Sequence, residues 1–340
     1  MPRALRSSLL ALPLALCLAL PLASSSQATE GTGSTDATTS PRPAKIRTAY
    51  ALPGDRAYPE GIATDPRNGD VYVGSYTTGA VYRAASGDRT AKVFLPAGTD
   101  GRSTANGLKA DRAGRLWVTD STAGVSVYDI RKRRLLARFD VPGEGARFVN
   151  DIVIAPDGTA YLTDSVRAVI YRVTPAQLSR TMAGSGRATL ATRYDLTPAI
   201  GPDRSQYTLN GIVADPTGRY LLTPDMSAGT LYRVDLASGT TRRVTLKGGT
   251  MLSADGLELR HGTLWAAHNF RNKLTRWHVS PDGTRAWQTA ELSDPTLQAP
   301  TTLLHRAGRL LVVRSQFDKG GPLGPGVPQT PFSVASVDGI

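Results

Sequence analysis

The sequence predicts an all-β fold, a six-bladed β-propeller with four-stranded antiparallel blades. One motif recurs six times, and its copies start at residues 60, 106, 150, 210, 255 and 300. The first five copies open on a polar residue, often followed by glycine. Three apolar runs separated by turns follow, which is the pattern of strands joined by hairpins. The starts are 46, 44, 60, 45 and 45 residues apart, and all-β repeats of roughly 40–50 residues are typical of propeller blades.

Residues 1–28 have the features of a secretory signal peptide. Two arginines precede an apolar stretch of 14 residues, Leu9 to Leu22, which is too short for a stable membrane span. Small residues then lead to a cleavage site near Ala28. We therefore expect a secreted, extracellular protein without a membrane span. Because the only cysteine, Cys17, lies in this segment, the mature chain is expected to lack disulfides.

The remainder of the chain divides into a tether and one domain. Residues 29–44 are rich in Thr, Ser, Gly and Pro and are expected to form a flexible tether. The repeats occupy a single propeller domain over residues 45–340. The segments 45–58 and 331–337 each contain one predicted strand. We expect one of them to complete a blade that begins at the other end of the chain, because closure leaves few free sheet edges.

The third copy is longer than the others, and its excess falls in residues 174–209. The sequence indicates a short helix near Gln177. The last part of the insertion leads directly into Asn210, so we expect it to lie over the same end of the channel. Long insertions in compact folds are usually functional rims or disordered.

The chain is basic, with a formal net charge of +12, and removal of residues 1–28, which contain two arginines and no acid, would leave +10. The Lys and Arg residues are scattered, which favours a solvated surface tuned for solubility. Loose association with anionic cell-wall polymers, or attraction of acidic substrates, is the alternative. The densest basic run, residues 131–134, is expected in an outer hairpin. No nucleic-acid-binding module is recognisable.

The opening residues of the copies are the first candidate site. The innermost strand of every propeller blade lines the central channel, so the starts of these strands converge at one face. Oxygen donors without His or Cys suit a hard divalent cation, above all Ca²⁺, although Zn²⁺, Mn²⁺ or Mg²⁺ stay open. The alternative interpretation is that Asn, Asp and Gly simply form tight turns. The openers are Glu60, Asn106, Asn150, Asn210, Asp255 and, weakly, Pro300.

A second ring of polar residues lies where the second strand of each copy ends. We expect Asp120 and Asp164 to form hydrogen bonds between blades. Asp225 and His268 are candidate catalytic acid or base groups beside the metal, although a lone histidine is more often structural. The members of this second ring are Ser75, Asp120, Asp164, Asp225, His268, Asn269 and Ser315.

The copies also resemble a known family. The segments PEGIA, FVNDI, LNGI and SADGL are similar to those of the SMP-30/gluconolactonase/LRE-like group of six-bladed propellers, within the calcium-dependent phosphotriesterase superfamily. The resemblance covers about residues 50–320. It implies that a catalytic divalent metal is held by Glu60, Asn150, Asn210 and Asp255.

The resemblance implies further roles around this metal. Asn106 matches a polar residue near the substrate in gluconolactonases, and Asp151 matches a position near a second, structural calcium in paraoxonases. Arg102 and Arg147 correspond loosely to sugar-contacting residues. The second-blade histidine that serves as a base in paraoxonases has no clear counterpart, since Asn106 stands in that region. This departure leaves the substrate open.

Three functions follow from these expectations. The first is a metal-dependent hydrolase of lactones or related esters, acting on a small-molecule substrate, in which Asp255 could share a proton or act as the nucleophile. The second is a lyase or secondary-metabolism enzyme on the same scaffold, as in streptogramin lyases and strictosidine-synthase-like proteins. The third is a non-catalytic extracellular binding propeller with a structural metal. Residues just before the openers should form the substrate-binding rim: Tyr58, Arg102, Arg147, Phe148, Tyr207 and Met251.

Overall fold

The repeats fold as short strands joined by hairpins. The computed structural model describes residues 44–340, so the predicted signal peptide and nearly all of the predicted tether lie outside the described residues. Two α-helices, α1 (Pro175–Ala183) and α2 (Thr197–Ile200), and three 3-10 turns, Thr99–Gly101, Asn269–Arg271 and Pro295–Leu297, accompany the strands. No helix among residues 44–340 has the length and apolar character needed to cross a membrane.

The strands are β1 (Lys45–Ala51), β2 (Pro59–Thr64), β3 (Val71–Ser75), β4 (Val81–Ala84), β5 (Lys92–Leu95), β6 (Leu108–Ala110), β7 (Arg115–Asp120), β8 (Gly124–Asp129), β9 (Arg134–Asp140), β10 (Val149–Ile154), β11 (Ala160–Asp164), β12 (Val169–Val173), β13 (Arg187–Thr189), β14 (Ala191–Asp195), β15 (Val213–Ala214), β16 (Tyr220–Asp225), β17 (Thr230–Asp235), β18 (Thr241–Arg243), β19 (Thr245–Lys247), β20 (Ala254–Arg260), β21 (Thr263–His268), β22 (Lys273–Val279), β23 (Arg285–Ser293), β24 (Pro300–Arg306), β25 (Arg309–Arg314) and β26 (Ser333–Asp338).

These strands form six sheets, which confirms the six-bladed propeller. Blade 1 is β2-β3-β4-β5, blade 2 is β6-β7-β8-β9, blade 3 is β10-β11-β12-β14 and blade 4 is β15-β16-β17-β18. Blade 5 is β20-β21-β22-β23, and blade 6 is β24-β25-β26-β1. Consecutive strands within each blade pair antiparallel. The first strand of each blade carries the opening segment of its repeat, so these segments meet around the channel.

Apolar side chains fill the spaces between neighbouring blades. Six clusters of buried hydrophobic residues occur among the described residues, and each joins side chains of two adjacent blades. Between blades 2 and 3, for example, Trp117 and Val127 pack with Ile152 and Leu162. Second strands such as β3, β11 and β16 are buried along their whole length because a blade covers each of their faces. This explains why these runs are continuously apolar rather than alternating.

The ring closes with a strand from the other end of the chain, as predicted. Strand β1 pairs antiparallel with β26, from Lys45 opposite Asp338 to Ala51 opposite Ser333. The first strand of the chain therefore forms the outer edge of the last blade. The closure hydrogen bonds hold blades 1 and 6 together and leave few free edges.

Blades 2 and 5 differ from the prediction by one added strand each. Strand β13 pairs parallel with β9, and β19 pairs parallel with β23. Both added strands lie at the outer edge of a blade and belong to the segments that connect blades, which the hairpin pattern of the repeat does not cover. In the insertion, α1 comes first and β13 then pairs with β9 of blade 2. The presence of α1 confirms the helix predicted near Gln177.

Local sequence explains the position of this helix. Thr174 caps α1 by accepting from the Gln177 backbone N–H, and the Gln177 side chain accepts from the Thr174 backbone N–H. Pro175 occupies the first turn, where its missing N–H is harmless. Near the end of the insertion, the backbone N–H of Thr208 donates to Ser165 O. Ser165 directly follows β11, the second strand of blade 3. The insertion thus returns to the channel face that carries Asn210.

The glycines after the opening residues are explained by close contact between blades. A Cβ atom on Gly61 would lie 1.9 Å from Asn106 O, and one on Gly211 would lie 2.3 Å from Asp255 O. Gly256 faces the Thr302 hydroxyl in the same way, at 2.2 Å. None of these three glycines has a positive φ. Packing of adjacent first strands, rather than a turn conformation, therefore requires glycine here.

We expect Gly61→Ala to lower the free energy of unfolding by about 3 kcal/mol, because the new methyl group must push two first strands apart. Gly184→Ala is the control, because its Cβ would come no nearer than 3.4 Å to another atom and its φ is negative. That variant should lose no more than about 1 kcal/mol. Urea denaturation followed by tryptophan fluorescence measures both values. Equal losses in the two variants would contradict the packing explanation.

Candidate metal centre

Four of the predicted ligands meet in the channel. Glu60, Asn150, Asn210 and Asp255 line one small cavity of about 10 Å³, together with Asp151. The four come from blades 1, 3, 4 and 5, and no more than 7% of any of them is exposed. A cavity of this size holds about one water molecule or one bare ion. The fold therefore brings together residues that are almost 200 positions apart in sequence.

Threonines of adjacent blades hold the backbone of this ring. The Thr119 hydroxyl donates to Asn150 O and the Thr163 hydroxyl donates to Asn210 O, both at 2.6 Å. Thr301 donates to Glu60 O at 2.8 Å. Each threonine lies on the blade that precedes the residue it holds, with blade 6 preceding blade 1. These bonds fix the position of each opener relative to its neighbours.

The amide side chains leave their oxygens without a protein partner. Asn150 Nδ2 donates to Ser165 Oγ at 3.0 Å, while Asn150 Oδ1 is buried and has no hydrogen-bond donor. Asn210 Nδ2 contacts Met226 Sδ at 3.1 Å, and Asn210 Oδ1 is likewise without a donor. Buried polar atoms are almost always hydrogen-bonded. Two amide oxygens without a donor beside the same cavity indicate a binding site for a cation between them.

The carboxylates of the ring give the same indication. Burial raises the pKa of Glu60 well above its usual value, and repulsion from Asp255 and Asp151 raises it further. Burial also raises the pKa of Asp255, against the opposing hydrogen bond from Asn269 Nδ2 at 2.7 Å. Both groups therefore resist ionisation in the absence of a cation.

The residues present thus fit a hard divalent cation. Two carboxylates and two amide oxygens converge, and carboxylate and amide oxygens are the ligands that Ca²⁺ prefers. Among residues 44–340, no group of three or more His, Cys, Asp and Glu side chains is arranged to hold a metal. The candidate site therefore depends on its amide oxygens, which disfavours a thiolate or imidazole metal centre.

Asn106 is the most completely buried of the openers. Its side chain has no exposed surface, and neither Oδ1 nor Nδ2 has a hydrogen-bond partner. Its backbone N–H donates to Thr119 O at 3.0 Å within blade 2. Asn106 is not among the residues that line the axial cavity, so the contact with a substrate that the resemblance implies stays a prediction. Blade 6 contributes Thr302 to the cavity rather than Pro300.

Asp151 stands where four of the other five copies have glycine. Its Oδ1 accepts from the Ile152 backbone N–H at 2.8 Å, and its Oδ2 accepts from the Ile212 N–H of blade 4 at 3.2 Å. Both oxygens thus bind backbone and link two first strands. This arrangement favours a structural role over the second metal site suggested by the resemblance.

The second ring of carboxylates is structural, but its partners differ from the expectation. Asp120 accepts from the backbone N–H groups of Ser103 at 2.7 Å and Thr122 at 3.1 Å. Asp164 accepts from Phe148 N–H at 3.0 Å and from the Tyr171 hydroxyl at 2.9 Å. These contacts fix the incoming loop and the hairpin of the same blade. The expectation that these two carboxylates form hydrogen bonds between the sheets of neighbouring blades was therefore wrong.

The two candidate acid or base residues form hydrogen bonds with other parts of the protein. Asp225 Oδ1 accepts from the Ser227 and Ala228 N–H groups of its own hairpin turn. His268 is fully buried, with Nδ1 2.9 Å from Leu252 O and Nε2 2.8 Å from Thr275 Oγ1. Burial lowers the pKa of His268 to about 4, so it is neutral near pH 7. These contacts favour structural roles for both residues.

Three residues predicted for the rim are packed inside the blades. Arg102 is buried, with Nε donating to Gly79 O at 2.7 Å and Nη1 to the Tyr128 hydroxyl. Tyr58 and Met251 belong to hydrophobic clusters. The side chains turn inward because the chain before each opener still lies against the preceding blade.

The other three rim residues are more accessible. Tyr207 is 44% exposed, while Arg147 and Phe148 are half-buried. The Phe148 ring lies 5.6 Å from that of Tyr207 and 6.3 Å from that of Tyr76. Tyr76 was not predicted. Its position directly after a second-strand end, Ser75, was the available signal.

The fold and the axial ring define the class of protein: a six-bladed propeller with a polar, oxygen-rich site on its axis. Neither a scan against protein-family models nor a search of curated proteins returns a match. Solved structures do match, among them a gluconolactonase from Xanthomonas campestris, with 17% identity over 86% of this chain and 89% of that one at a TM-score of 0.58.

Two other solved structures are comparably similar. Virginiamycin B lyase from Staphylococcus aureus has 13% identity over 88% of this chain and all of that one, at a TM-score of 0.55. Aldose sugar dehydrogenase from Streptomyces coelicolor, in its PQQ-bound form, has 16% identity over 88% of this chain and all of that one, at a TM-score of 0.56. At such identities these likenesses show the propeller fold, which is shared by enzymes of different chemistry.

The raised pKa values of Glu60 and Asp255 predict an unusual pH dependence. At these groups the folded, metal-free protein binds more protons than the unfolded chain, so its free energy of unfolding falls as pH rises above the usual carboxyl range. In chelator, we expect the unfolding temperature to fall as the pH rises above about 5. Calcium at 100 times its Kd should then restore about 2.7 kcal/mol at the higher pH.

Two variants separate this effect from general charge effects. Glu60→Gln should flatten the pH dependence and reduce the stabilisation by calcium, because it removes one buried carboxylate. Asp338→Asn, at an exposed carboxylate at the end of β26, should behave like the unmodified protein. Differential scanning calorimetry measures all three. Equal calcium stabilisation in both variants would contradict the assignment of Glu60.

Proposed function

We propose that the protein is a secreted hydrolase of lactones or related esters that depends on a divalent cation, most suitably Ca²⁺. The observation that carries this proposal is the pair of orphaned amide oxygens, on Asn150 and Asn210, beside two buried carboxylates at one axial cavity. Glu60, Asn150, Asn210 and Asp255 would hold the cation. When bound, such a cation polarises an ester carbonyl and lowers the pKa of bound water.

Asp255 is the best candidate for direct participation in the reaction. Asn269 Nδ2 donates to its Oδ2 at 2.7 Å and so fixes the plane of the carboxylate. Its burial removes competing water. Asp255 would accept a proton from the attacking water or attack the substrate itself. Asp225 and His268 are less suitable because Asp225 Oδ1 and both His268 nitrogens already bind the protein.

Asn106 would lie behind the ring of proposed ligands. Its amide has an unused donor and an unused acceptor, but its side chain is fully buried and is not among the residues that line the axial cavity. Contact with a substrate would therefore require a local opening of the structure. The role near the substrate that the sequence resemblance implies for Asn106 stays a prediction.

A histidine-dependent lyase is a weaker alternative. A solved structure of virginiamycin B lyase describes a histidine-to-alanine variant as catalytically inactive. In this chain His268 is neutral, buried and bonded at both nitrogens, and His305 Nδ1 is 2.5 Å from Glu258 Oε2. His278 stacks on Trp287, and His261 lies between β20 and β21. No histidine of the described chain is therefore placed beside the axial ring with a free nitrogen.

The decisive variant for the hydrolase is Asp255→Asn. The asparagine can still accept from Asn269, so the fold should be retained, whereas the missing charge should lower kcat for lactones and aryl esters at least about 100-fold. Asp157→Asn is the matched control, because Asp157 lies in a hairpin turn where asparagine can replace its hydrogen bonds to Thr159. Initial rates with calcium and with chelator give the comparison.

The outcomes distinguish the three functions. A hydrolase loses activity both in chelator and in Asp255→Asn, while Asp157→Asn stays active. A lyase acting on a cyclic ester gives an unsaturated product, which mass spectrometry separates from the hydrolysis product by the mass of one water. A binding propeller shows no turnover, and its ligand affinity survives the Asp255 substitution. Activity that persists in chelator would overturn the metal-dependent proposal.

A further inference from the structure

We infer that the mouth above the axial ring is an aromatic subsite that binds the apolar part of a neutral ester, which makes alkyl and aryl esters or lactones the preferred substrates over sugar lactones. This inference rests on the proposed hydrolase and narrows its substrate class. The subsite consists of four aromatic side chains, defined here as the aromatic arc: Phe317, Tyr76, Phe148 and Tyr207.

The four rings form a continuous series. The Phe317 and Tyr76 centroids are 5.3 Å apart, those of Tyr76 and Phe148 are 6.3 Å apart, and those of Phe148 and Tyr207 are 5.6 Å apart. The Tyr76 and Phe148 rings are stacked, and the Phe148 and Tyr207 rings meet edge to face. Both are favourable arrangements that keep ring faces in fixed positions.

The arc lies at the end of the channel that carries the candidate metal ligands. Phe148 and Tyr207 each precede a ligand by two or three residues, namely Asn150 and Asn210. Tyr76 directly follows Ser75, the residue opposite Pro59, which is next to Glu60. The backbone of these aromatic residues is therefore tied to the ring itself.

Three of the four rings of the arc are accessible. Tyr207 is 44% exposed, and Tyr76 and Phe148 are half-buried. Phe317 is 6% exposed and belongs to the hydrophobic cluster between blades 1 and 6, on which Tyr76 packs, so it supports the inner end of the arc. The partly exposed rings present a surface to a ligand.

The axial cavity is too small to hold the apolar part of a substrate. About 10 Å³ between the ring residues accommodates one ion or one water. The acyl chain or leaving group of an ester must then lie outside the ring, against the side chains of the mouth. An apolar group that binds to the arc would cover ring faces that are otherwise exposed to solvent.

Two arginines near the mouth are not available to a polyol, whereas a third, Arg147, is half-buried and donates from Nε to Gly145 O at 3.0 Å. Arg102 is buried and directed at Gly79 O and Tyr128. Arg167 donates to the carbonyl oxygens of Pro142, Ala146 and Glu144 in the loop before Phe148. Both guanidinium groups fix the shape of the mouth. They are not free to bind the several hydroxyl groups of a sugar lactone.

Chain-length dependence tests the inference. With p-nitrophenyl esters from acetate to octanoate, we expect kcat/KM to rise roughly fourfold per added methylene until the arc is covered. Glucono-δ-lactone should be a poorer substrate than an alkyl lactone of the same ring size. Tyr207→Ser should reduce the gain with chain length and lower kcat/KM for octanoate about tenfold more than for acetate.

A control and a binding measurement keep the inference separate from the proposed function. Val93→Ser changes a 50% exposed apolar residue on the outer strand of blade 1 and should leave the series unchanged. The p-nitroanilides of the same acids, which resist hydrolysis, should bind both the unmodified protein and Asp255→Asn with affinities that rise with chain length in isothermal titration calorimetry.

The outcomes then separate. Hydrolysis that favours glucono-δ-lactone, or that is independent of chain length, overturns the aromatic subsite and leaves the hydrolase intact. Anilide binding that rises with chain length and weakens in Tyr207→Ser, without turnover of any ester, supports the subsite and overturns the hydrolase. Loss of the chain-length effect in Val93→Ser as well as in Tyr207→Ser would overturn the assignment to the arc.

Discussion

The close approach of the first strands around the axis is the constraint on which the rest of the structure depends. At the residue after the opener, the backbone of the next blade is so near that a Cβ on Gly61 would lie 1.9 Å from a carbonyl oxygen. The same proximity forces the opening side chains into one small, dry space. Blade packing and the convergence of the openers are therefore consequences of the same close approach of the first strands. A side chain at the start of a first strand must suit both the packing of the blades and the chemistry of the site.

That condition creates an electrostatic problem. Glu60 and Asp255 are both buried, and the carboxylate of Asp151 lies close enough to raise the pKa of each. Lys109 offsets the effect at Glu60 only in part. Burial of unpaired charge normally costs several kcal/mol, which makes such a cluster a poor choice for stability alone. A bound cation would reverse the sign of these interactions, because the carboxylates would then be attracted to a common centre.

The sequence was sufficient for features that repeat. The spacing of the copies predicted the number of blades, the spare strands at the two ends predicted the closure through β1 and β26, and Thr174 with Gln177 marked the helix. The repeat also supplied the openers, because equivalent positions in a propeller converge, and the family resemblance selected the four proposed ligands among them. These inferences use local patterns and symmetry, which a single sequence contains.

Features that depend on contacts between unlike positions could not be predicted. Arg102 looked like an exposed rim residue, but Gly79 and Tyr128 bind its guanidinium inside the structure. Tyr76 and Phe148 belong to blades 1 and 3, so nothing in either repeat shows that their rings lie 6.3 Å apart. The openers stand at equivalent positions of the repeat, whereas the mouth residues do not repeat. A gluconolactonase, a lyase and a sugar dehydrogenase share this propeller fold at 13–17% identity to this chain, so the fold alone does not set the chemistry, and the residues of the mouth have to be read from the structure.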